Sequence, residues 1–265
     1  MNILALKLIL APLIIGSASL AGRRWGSAVS GWLVGMPLTT GPVVFFVALS
    51  HDASFASRSA LGVLSGGFSL VLYAVSYAWL ARRLPWLASL AGGLTLFAIS
   101  TALLQNLTFP LVPLFFAVTA AIFLGLRLMP KELPLPSADE NPGRWDLPAR
   151  ILLGTSLILL LTGIAPFIGA RLTGLLATFP LYISILAVFS QRQQGPGGPA
   201  HMLRGLLYGM FAFVAFFITL GLLIERLGIG WSFGAALVAA LLVQGCSLMV
   251  LRRTGAVITG SIGND

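Results

Sequence analysis

The residues best suited to chemistry lie between positions 37 and 42, in an otherwise apolar stretch. They are Pro37, Thr39, Thr40, Gly41 and Pro42. Proline has no backbone N–H, so it leaves a carbonyl of the preceding helical turn without a donor. Such carbonyls and the threonine hydroxyls could coordinate a small solute or an ion, and the start of the next helix would favour an anion. The alternative is a kink in which the threonines satisfy the freed carbonyls.

A second stretch of this kind lies 143 residues further along, since 180 − 37 = 143. Here Pro180 is followed by Tyr182 and Ser184, whose hydroxyls are again close to a proline. Gln244 is a further polar residue within an apolar run. We therefore expect a substrate-binding site that combines these four residues with the five around Pro37. The sequence suggests no catalytic residue, metal ligand or cofactor site.

The composition requires that lipid surrounds these residues. The chain has 265 residues, is 58% hydrophobic and 9% charged, and has a mean hydropathy of +0.99. Soluble domains carry roughly 25% charged residues, and a globule of this size cannot bury so much apolar surface. We expect an all-α, polytopic transmembrane bundle, for which the lipid bilayer is the first partner.

Nine apolar segments are long enough to cross a bilayer, which takes about 20 helical residues. The predicted spans cover residues 3–21, 28–50, 58–80, 86–105, 108–129, 149–167, 171–190, 202–224 and 229–251. The first resembles a signal peptide near Ala21, but its positive charges follow the apolar run, so we expect a retained helix.

The distribution of basic residues predicts the orientation of the chain. One side of the predicted topology carries twelve: Arg23, Arg24, Arg82, Arg83, Arg127, Lys131, Arg144, Arg150, Arg192, Arg204, Arg252 and Arg253. The other side carries four: Lys7, Arg58, Arg171 and Arg226. The positive-inside rule then places the N-terminus outside and the C-terminus in the cytoplasm.

The chain divides into four regions. Residues 1–129 form a first transmembrane repeat with a connector helix, and residues 130–148 form a polar, proline-rich cytoplasmic linker. Residues 149–253 form a second transmembrane repeat, and residues 254–265 form a C-terminal tail.

An internal duplication is predicted by the same 143-residue offset. It superposes prolines, glycines and charged residues without a gap: Pro37/Pro180, Gly26/Gly169, Gly31/Gly174, Gly62/Gly205, Gly66/Gly209, Arg83/Arg226 and Lys7/Arg150. Five spans precede the second copy, so it would enter the membrane upside down. Such inverted repeats are typical of secondary transporters, whose sites lie where corresponding helices are broken.

Glycine pairs spaced four residues apart predict close helix packing. Gly62/Gly66 and Gly205/Gly209 occupy corresponding places in the two copies. We therefore expect the third and eighth spans to cross each other near the axis that relates the copies.

Several function classes are disfavoured. The net charge of +9 comes from basic residues scattered in ones and twos, whereas a nucleic-acid interface would cluster them. The single cysteine, Cys246, forms no internal disulfide, and no metal or hydrolase motif is present. No Asp or Glu lies within a predicted span, which argues against a carboxylate proton relay.

The stretch GLLATFPLYISILAVF at 174–189, with its equivalent GWLVGMPLTTGPVVFF at 31–46, resembles the GlpM-type bacterial inner-membrane proteins. Those chains are about half as long, so this one resembles a fused pair. The second proline, Pro42, and the long linker depart from the pattern. The resemblance implies a bacterial inner (plasma) membrane location and no settled activity.

The sequence is compatible with two functions. The first is a permease that moves a small solute by alternating access, with its site at the broken second and seventh spans. The alternative is a non-transporting accessory or scaffold subunit of an envelope or lipid-handling complex. A homo-oligomer and a membrane partner subunit both stay open, and an enzyme is the weakest reading.

Overall fold

The protein is described by a computed structural model, which places Ile9, Pro12, Leu13 and residues 31–131 and 146–253. Most of the predicted first span, the start of the second, most of the linker and the C-terminal tail lie outside these residues. Every regular element in the described ranges is helical and none is a strand, so the predicted all-α class is confirmed.

Seven helices are numbered here in chain order. They are α1 (Thr40–Ser50), α2 (Ala53–Leu80), α3 (Trp86–Leu104), α4 (Leu111–Leu128), α5 (Asp146–Ala177), α6 (Leu181–Gln194) and α7 (Gly198–Arg253). A 3₁₀ turn, Gly195–Gly197, joins α6 to α7. Residues 31–34 add a short helical segment before α1.

Local sequence accounts for where three of these helices begin. The carboxylate of Asp52 caps α2, because it accepts hydrogen bonds from the Phe55 N–H at 2.6 Å and the Ser54 hydroxyl at 2.8 Å. These bonds hold the pKa of Asp52 below its usual value; the bond from the Phe55 N–H has the largest effect, and the bond from the Ser54 hydroxyl adds to it. Helices α3 and α4 begin directly after Pro85 and Pro110, both in extended conformation.

Two glycines interrupt the longest helices. Gly169 in α5 has φ 80°, and Gly228 in α7 has φ 73°. This left-handed region is open to glycine at little cost. A Cβ at either position would meet nothing within 4 Å, so the backbone conformation rather than the space selects glycine. Each of these helices therefore consists of two helical segments.

Helices α2 and α7 form the centre of the bundle. α2 packs against α3, α4, α5 and α7, and its side chains Leu64, Tyr73 and Tyr77 are fully buried. On α7, Phe217 and Leu220 are fully buried as well. The site residues described below are therefore held against a closely packed core.

The outer helices present apolar side chains outward. On α3, Leu103 is 63% exposed, and on α4 Phe116 is 64% exposed. Monomeric soluble proteins rarely expose large contiguous apolar surfaces. Within the described residues, four helical stretches are also long and apolar enough to cross a membrane: Ala53–Leu80, Trp86–Leu104, Leu111–Leu128 and Ile151–Met249. These features agree with an integral membrane protein.

Candidate functional site

The backbone leaves helical geometry around Pro37. The Met36 N–H donates to the Leu33 carbonyl at 3.1 Å, and the Leu38 N–H donates to the Met36 carbonyl at 2.7 Å. The second bond closes a three-residue turn of the γ type, centred on the proline. Helical bonding resumes where the Gly41 N–H donates to the Pro37 carbonyl at 2.9 Å. The predicted interruption of the second span is therefore present.

The backbone around Pro180 has the same set of bonds. The Phe179 N–H donates to the Leu176 carbonyl at 3.0 Å, and the Leu181 N–H donates to the Phe179 carbonyl at 2.7 Å. The Ser184 N–H then reaches the Pro180 carbonyl at 2.9 Å. Pro180 has φ −78° and ψ 41°, close to an inverse γ-turn. Each bond lies 143 residues beyond its equivalent at Pro37 (for example, 180 − 37 = 143).

The two turns leave carbonyls without their helical donors. In a continuous α-helix the Leu38 N–H would bond to Val34, four residues earlier, and the Leu181 N–H would bond to Ala177. Both N–H groups point into the γ-turns instead. Val34 and Ala177 thus supply main-chain oxygens at corresponding points of two broken helices.

The predicted ligand residues after Pro37 lie at the start of α1. Thr39 is the N-cap residue but makes no side-chain capping bond, and it is partly buried. Thr40 is 7% exposed, and its hydroxyl has no hydrogen-bond partner among the described residues. Pro37, Gly41 and Pro42 are buried. A buried hydroxyl without a partner is costly, so a ligand group that bonds to Thr40 would remove this cost.

The predicted ligand residues of the second stretch differ in their burial and in their hydrogen bonds. Pro180 is buried and Tyr182 is partly buried. Ser184 is buried and lies 2.8 Å from the Tyr73 hydroxyl of α2, with either group able to donate. The hydroxyl of this serine therefore already has a hydrogen-bond partner.

A corresponding contact joins the first stretch to α7. A Cβ on Gly41 would lie 3.6 Å from the ring of Phe216. The offsets are equal, since 184 − 41 = 143 and 216 − 73 = 143. Tyr73 and Phe216 thus face the two breaks from the central helices. Neither Tyr73 nor Phe216 is among the site residues expected from the sequence, although the same offset relates them.

Gln244 supports the first break from a distance. Its amide donates to the Trp32 carbonyl at 3.1 Å, and the Trp32 indole donates to the Ser247 hydroxyl at 2.9 Å. The amide oxygen of Gln244 is buried without a partner among the described residues. The end of α7 is thereby tied to the helical segment just before Pro37.

Close backbone contacts hold the broken segments against the central helices. A Cβ on Gly31 would overlap the carbonyl oxygen of Met202 in α7, and a Cβ on Gly174 would overlap that of Ser59 in α2. Here too the offsets agree, since 174 − 31 = 143 and 202 − 59 = 143. Only glycine lets the backbones meet this closely.

The hydrogen bond between Tyr73 and Ser184 gives a testable coupling. We expect Tyr73→Phe and Ser184→Ala to be non-additive by about 0.6 kcal/mol, the average for hydrogen bonds between membrane helices. A double-mutant cycle of unfolding free energies in mixed micelles measures this coupling. Tyr77→Phe serves as the matched control, because its hydroxyl donates to Gln191 instead. Equal coupling of Ser184→Ala to both tyrosine variants would contradict the assignment.

The chain matches no protein-family model, no curated protein and no solved structure. The resemblance to GlpM-type proteins therefore stays an expectation. Among the described residues, no group of three or more His, Cys, Asp or Glu side chains could hold a metal ion. The chemistry available at the two breaks is coordination by main-chain carbonyls, hydroxyls and uncapped helix starts.

Proposed function

We propose that this protein is a permease that moves a small solute across the membrane by alternating access between two inverted repeats. The observation that carries the proposal is the matching pair of γ-turns at Pro37 and Pro180. Broken helices at corresponding places are where transporters of inverted-repeat design bind their substrates. The proposed site comprises these prolines with Thr39, Thr40, Gly41, Pro42, Tyr182, Ser184 and Gln244.

The reciprocal contacts support a twofold relation between the copies. Gly31 of the first copy meets Met202 of the second, and Gly174 of the second meets Ser59 of the first. When residue i meets j′ and i′ meets j, one twofold rotation accounts for both contacts. A Cβ on Gly67 would also lie 3.8 Å from Met210, its own equivalent, since 210 − 67 = 143. A residue that meets its equivalent lies near the axis.

The proposed nine spans give the copies opposite directions. Residues Ile151–Met249 form one apolar stretch of 99 residues, although about 20 suffice for one crossing. Gly169, Gly195 and Gly228 divide this stretch into four proposed crossings, and the second of these is itself broken at residues 178–180. Four crossings there and five before the linker invert the second copy.

The proposed location is the bacterial inner membrane, with the N-terminus outside and the C-terminus in the cytoplasm. The asymmetry of basic residues and the resemblance to GlpM-type proteins support it. In this orientation Arg83 lies at the cytoplasmic surface and its equivalent Arg226 lies at the outer one.

The polar groups at the breaks suit a small polar solute. The Thr40 hydroxyl is buried without a partner among the described residues, and the carbonyls of Val34 and Ala177 lack helical donors. The helix starts after Pro37 and Pro180 carry no side-chain cap, so their N–H groups favour an anionic part of the solute. Ser184 would exchange its bond to Tyr73 for a bond to the solute.

Cysteine accessibility tests alternating access without knowledge of the solute. In a Cys246→Ala background, Thr40→Cys should react with a membrane-impermeant maleimide from both sides of oriented vesicles. From the side that is closed in the major state, the rate should be roughly 0.1–10% of that of a free thiol, the usual population of a minor conformation. Labelling is measured by gel shift in right-side-out and inside-out vesicles.

Two control positions on α2 give the labelling expected of a buried residue and of a residue exposed on one side of the membrane. Ser59→Cys, fully buried against Gly174, should be inert from both sides, and Ser54→Cys beside Asp52 should react from one side alone. Labelling of Thr40→Cys from one side or neither would refute alternating access. That result would favour the scaffold alternative, in which the breaks are fixed structural kinks.

A further inference from the structure

A surface cleft of about 350 Å³ lies beside the loop that joins α2 to α3. Its wall contains three arginines, Arg82, Arg83 and Arg192, together with Gln191 and Trp86. No Asp or Glu is among the described residues that line it. The cleft, called the Arg82 cleft below, therefore gathers three positive charges without a countercharge in its wall.

The wall of the Arg82 cleft is fixed by hydrogen bonds between helices. The Gln191 amide of α6 donates to the Leu84 carbonyl at 2.9 Å and to the Ala81 carbonyl at 3.3 Å. The amide oxygen of Gln191 accepts a bond from the Tyr77 hydroxyl at 3.0 Å. One glutamine thus fastens the loop to the end of α6, so the arginines from the two elements are held together.

The arginines retain hydrogen-bond donors for a ligand. Arg192 lies over the Trp86 ring at 5.8 Å, and Arg82 lies over the Trp79 ring at 5.5 Å. Arg82 also donates one of its five guanidinium N–H groups to the Lys131 carbonyl. Stacking on a tryptophan orients a guanidinium and leaves its edge available to an acceptor.

The start of α3 adds to the positive potential. Trp86 is the first residue of α3, Pro85 before it provides no side-chain cap, and the first turn has no acidic residue. The N–H groups of a first helical turn have no partner within the helix, and they attract anions. This helix start and the three arginines act on the same volume.

The tryptophans place the Arg82 cleft at the edge of the apolar zone. Trp79 is 49% exposed and Trp86 is 37% exposed, near the ends of two membrane-length helices. Tryptophan is enriched at the level of lipid headgroups. A ligand in this cleft would have its charged group beside the arginines and its remainder beside lipid.

The second half of the chain has no equivalent cleft chemistry. The positions 143 residues after Arg82 and Arg83 are Glu225 and Arg226, and the position equivalent to Arg192 is Leu49. Of the three equivalent positions, only that of Arg226 carries a positive charge, and Arg226 follows Glu225 in the sequence. The Arg82 cleft is therefore a feature of one end of the molecule rather than a consequence of the duplication.

We propose that the Arg82 cleft binds a phosphate-bearing anion, and that this anion is the headgroup of an acidic phospholipid. Guanidinium groups form paired bonds to phosphate oxygens, and basic pockets between membrane helices suit acidic lipid headgroups. The position at the apolar edge favours a lipid over a free anion. The proposal is independent of the permease function, because the cleft lies apart from both proline turns.

Lipid titration of the full-length protein tests the proposal. The protein, purified in a neutral detergent, is titrated with phosphatidylglycerol, with phosphatidylcholine and with inorganic phosphate, and bound species are counted by native mass spectrometry. We expect phosphatidylglycerol to bind most tightly. Arg83→Gln and Arg192→Gln should each weaken it about fivefold, the effect of losing one basic residue near an acidic lipid. Arg83→Lys should retain most of the binding.

Arg226→Gln is the matched control, since this exposed arginine is the equivalent of Arg83 in the second half. It should leave phosphatidylglycerol binding unchanged. Binding of inorganic phosphate alone, with the same dependence on Arg83 and Arg192, would keep the phosphate site and reject the lipid as its source. Equal binding by wild type and both cleft variants, or an equal loss in Arg226→Gln, would overturn the proposal. Melting curves of each variant show whether any loss reflects unfolding instead.

Discussion

Gly174→Ala should lower the melting temperature of the protein by roughly 3–10 °C, corresponding to an overpacking cost of about 1–3 kcal/mol. The added methyl group would overlap the Ser59 carbonyl oxygen and lie 2.8 Å from the Val63 nitrogen. Both are backbone atoms of the fully packed α2, so neither can rotate away. Relief requires that α5 move from α2, which would loosen contacts along the whole pair. Thermal unfolding followed by a thiol-independent fluorescence assay measures the change.

Gly163→Ala is the matched control on the same helix. A Cβ there would meet nothing within 4 Å, and alanine is the better helix former, so the melting temperature should be unchanged or slightly higher. Gly31→Ala should repeat the loss seen for Gly174→Ala, because its methyl group would overlap the Met202 carbonyl oxygen. If Gly174→Ala were as stable as Gly163→Ala, the close approach of α5 and α2 would be wrong.

The sequence predicted the helices well where apolar runs have clear ends. The fourth predicted span, 86–105, corresponds to Trp86–Leu104, and the fifth, 108–129, contains Leu111–Leu128. Both follow a proline that starts the helix, so local chemistry defines the boundary. Helices α5 and α7 each join two predicted spans, and non-helical backbone at Gly169 and Gly228 separates their two segments. Sequence alone does not show whether a glycine ends a helix or bends it.

The glycine pairs are packing positions, as predicted, and the helices that contain the third and eighth predicted spans, α2 and α7, do pack against each other. The expectation that the glycine pairs themselves form this contact was wrong. Instead, Gly62 meets Arg171 and Gly66 meets Thr178, both at the end of α5 or just beyond it. Gly209 meets Trp32 in the segment before Pro37. The four-residue spacing reports that a close contact exists, whereas the partner depends on the arrangement of all the helices.

The breaks at Pro37 and Pro180 were predictable because proline removes an N–H from the helical hydrogen-bond pattern, although Pro166 lies inside α5. The role of each nearby hydroxyl was not, because it depends on tertiary contacts. Ser184 bonds to Tyr73, whereas the Thr40 hydroxyl has no partner among the described residues. The first-half and second-half turns are alike in backbone and differ in side chains.

Replacement of either turn proline should reduce access to the site about tenfold while preserving the fold. Pro37→Ala provides an N–H that can bond to the preceding turn and favours a continuous helix, and Pro180→Ala does the same in the second copy. An added backbone hydrogen bond contributes about 0.5–1.5 kcal/mol. A bias of about 1.4 kcal/mol toward the unbroken helix lowers the population of the broken one about tenfold. Maleimide labelling of Thr40→Cys in the Cys246→Ala background should fall by this factor.

The proposed alternating access predicts that the two proline variants act equally, because both turns would contribute to one exchange between inward-open and outward-open states. Pro166→Ala is the control, since this proline lies inside α5 on an exposed face. Its replacement should change the melting temperature without changing the labelling of Thr40→Cys. Loss of labelling in Pro37→Ala but not in Pro180→Ala would mean that the first turn acts alone, and the paired mechanism would fail. Unchanged labelling in both would show that access to Thr40 does not depend on the broken backbone, and the proposed site would have to be abandoned.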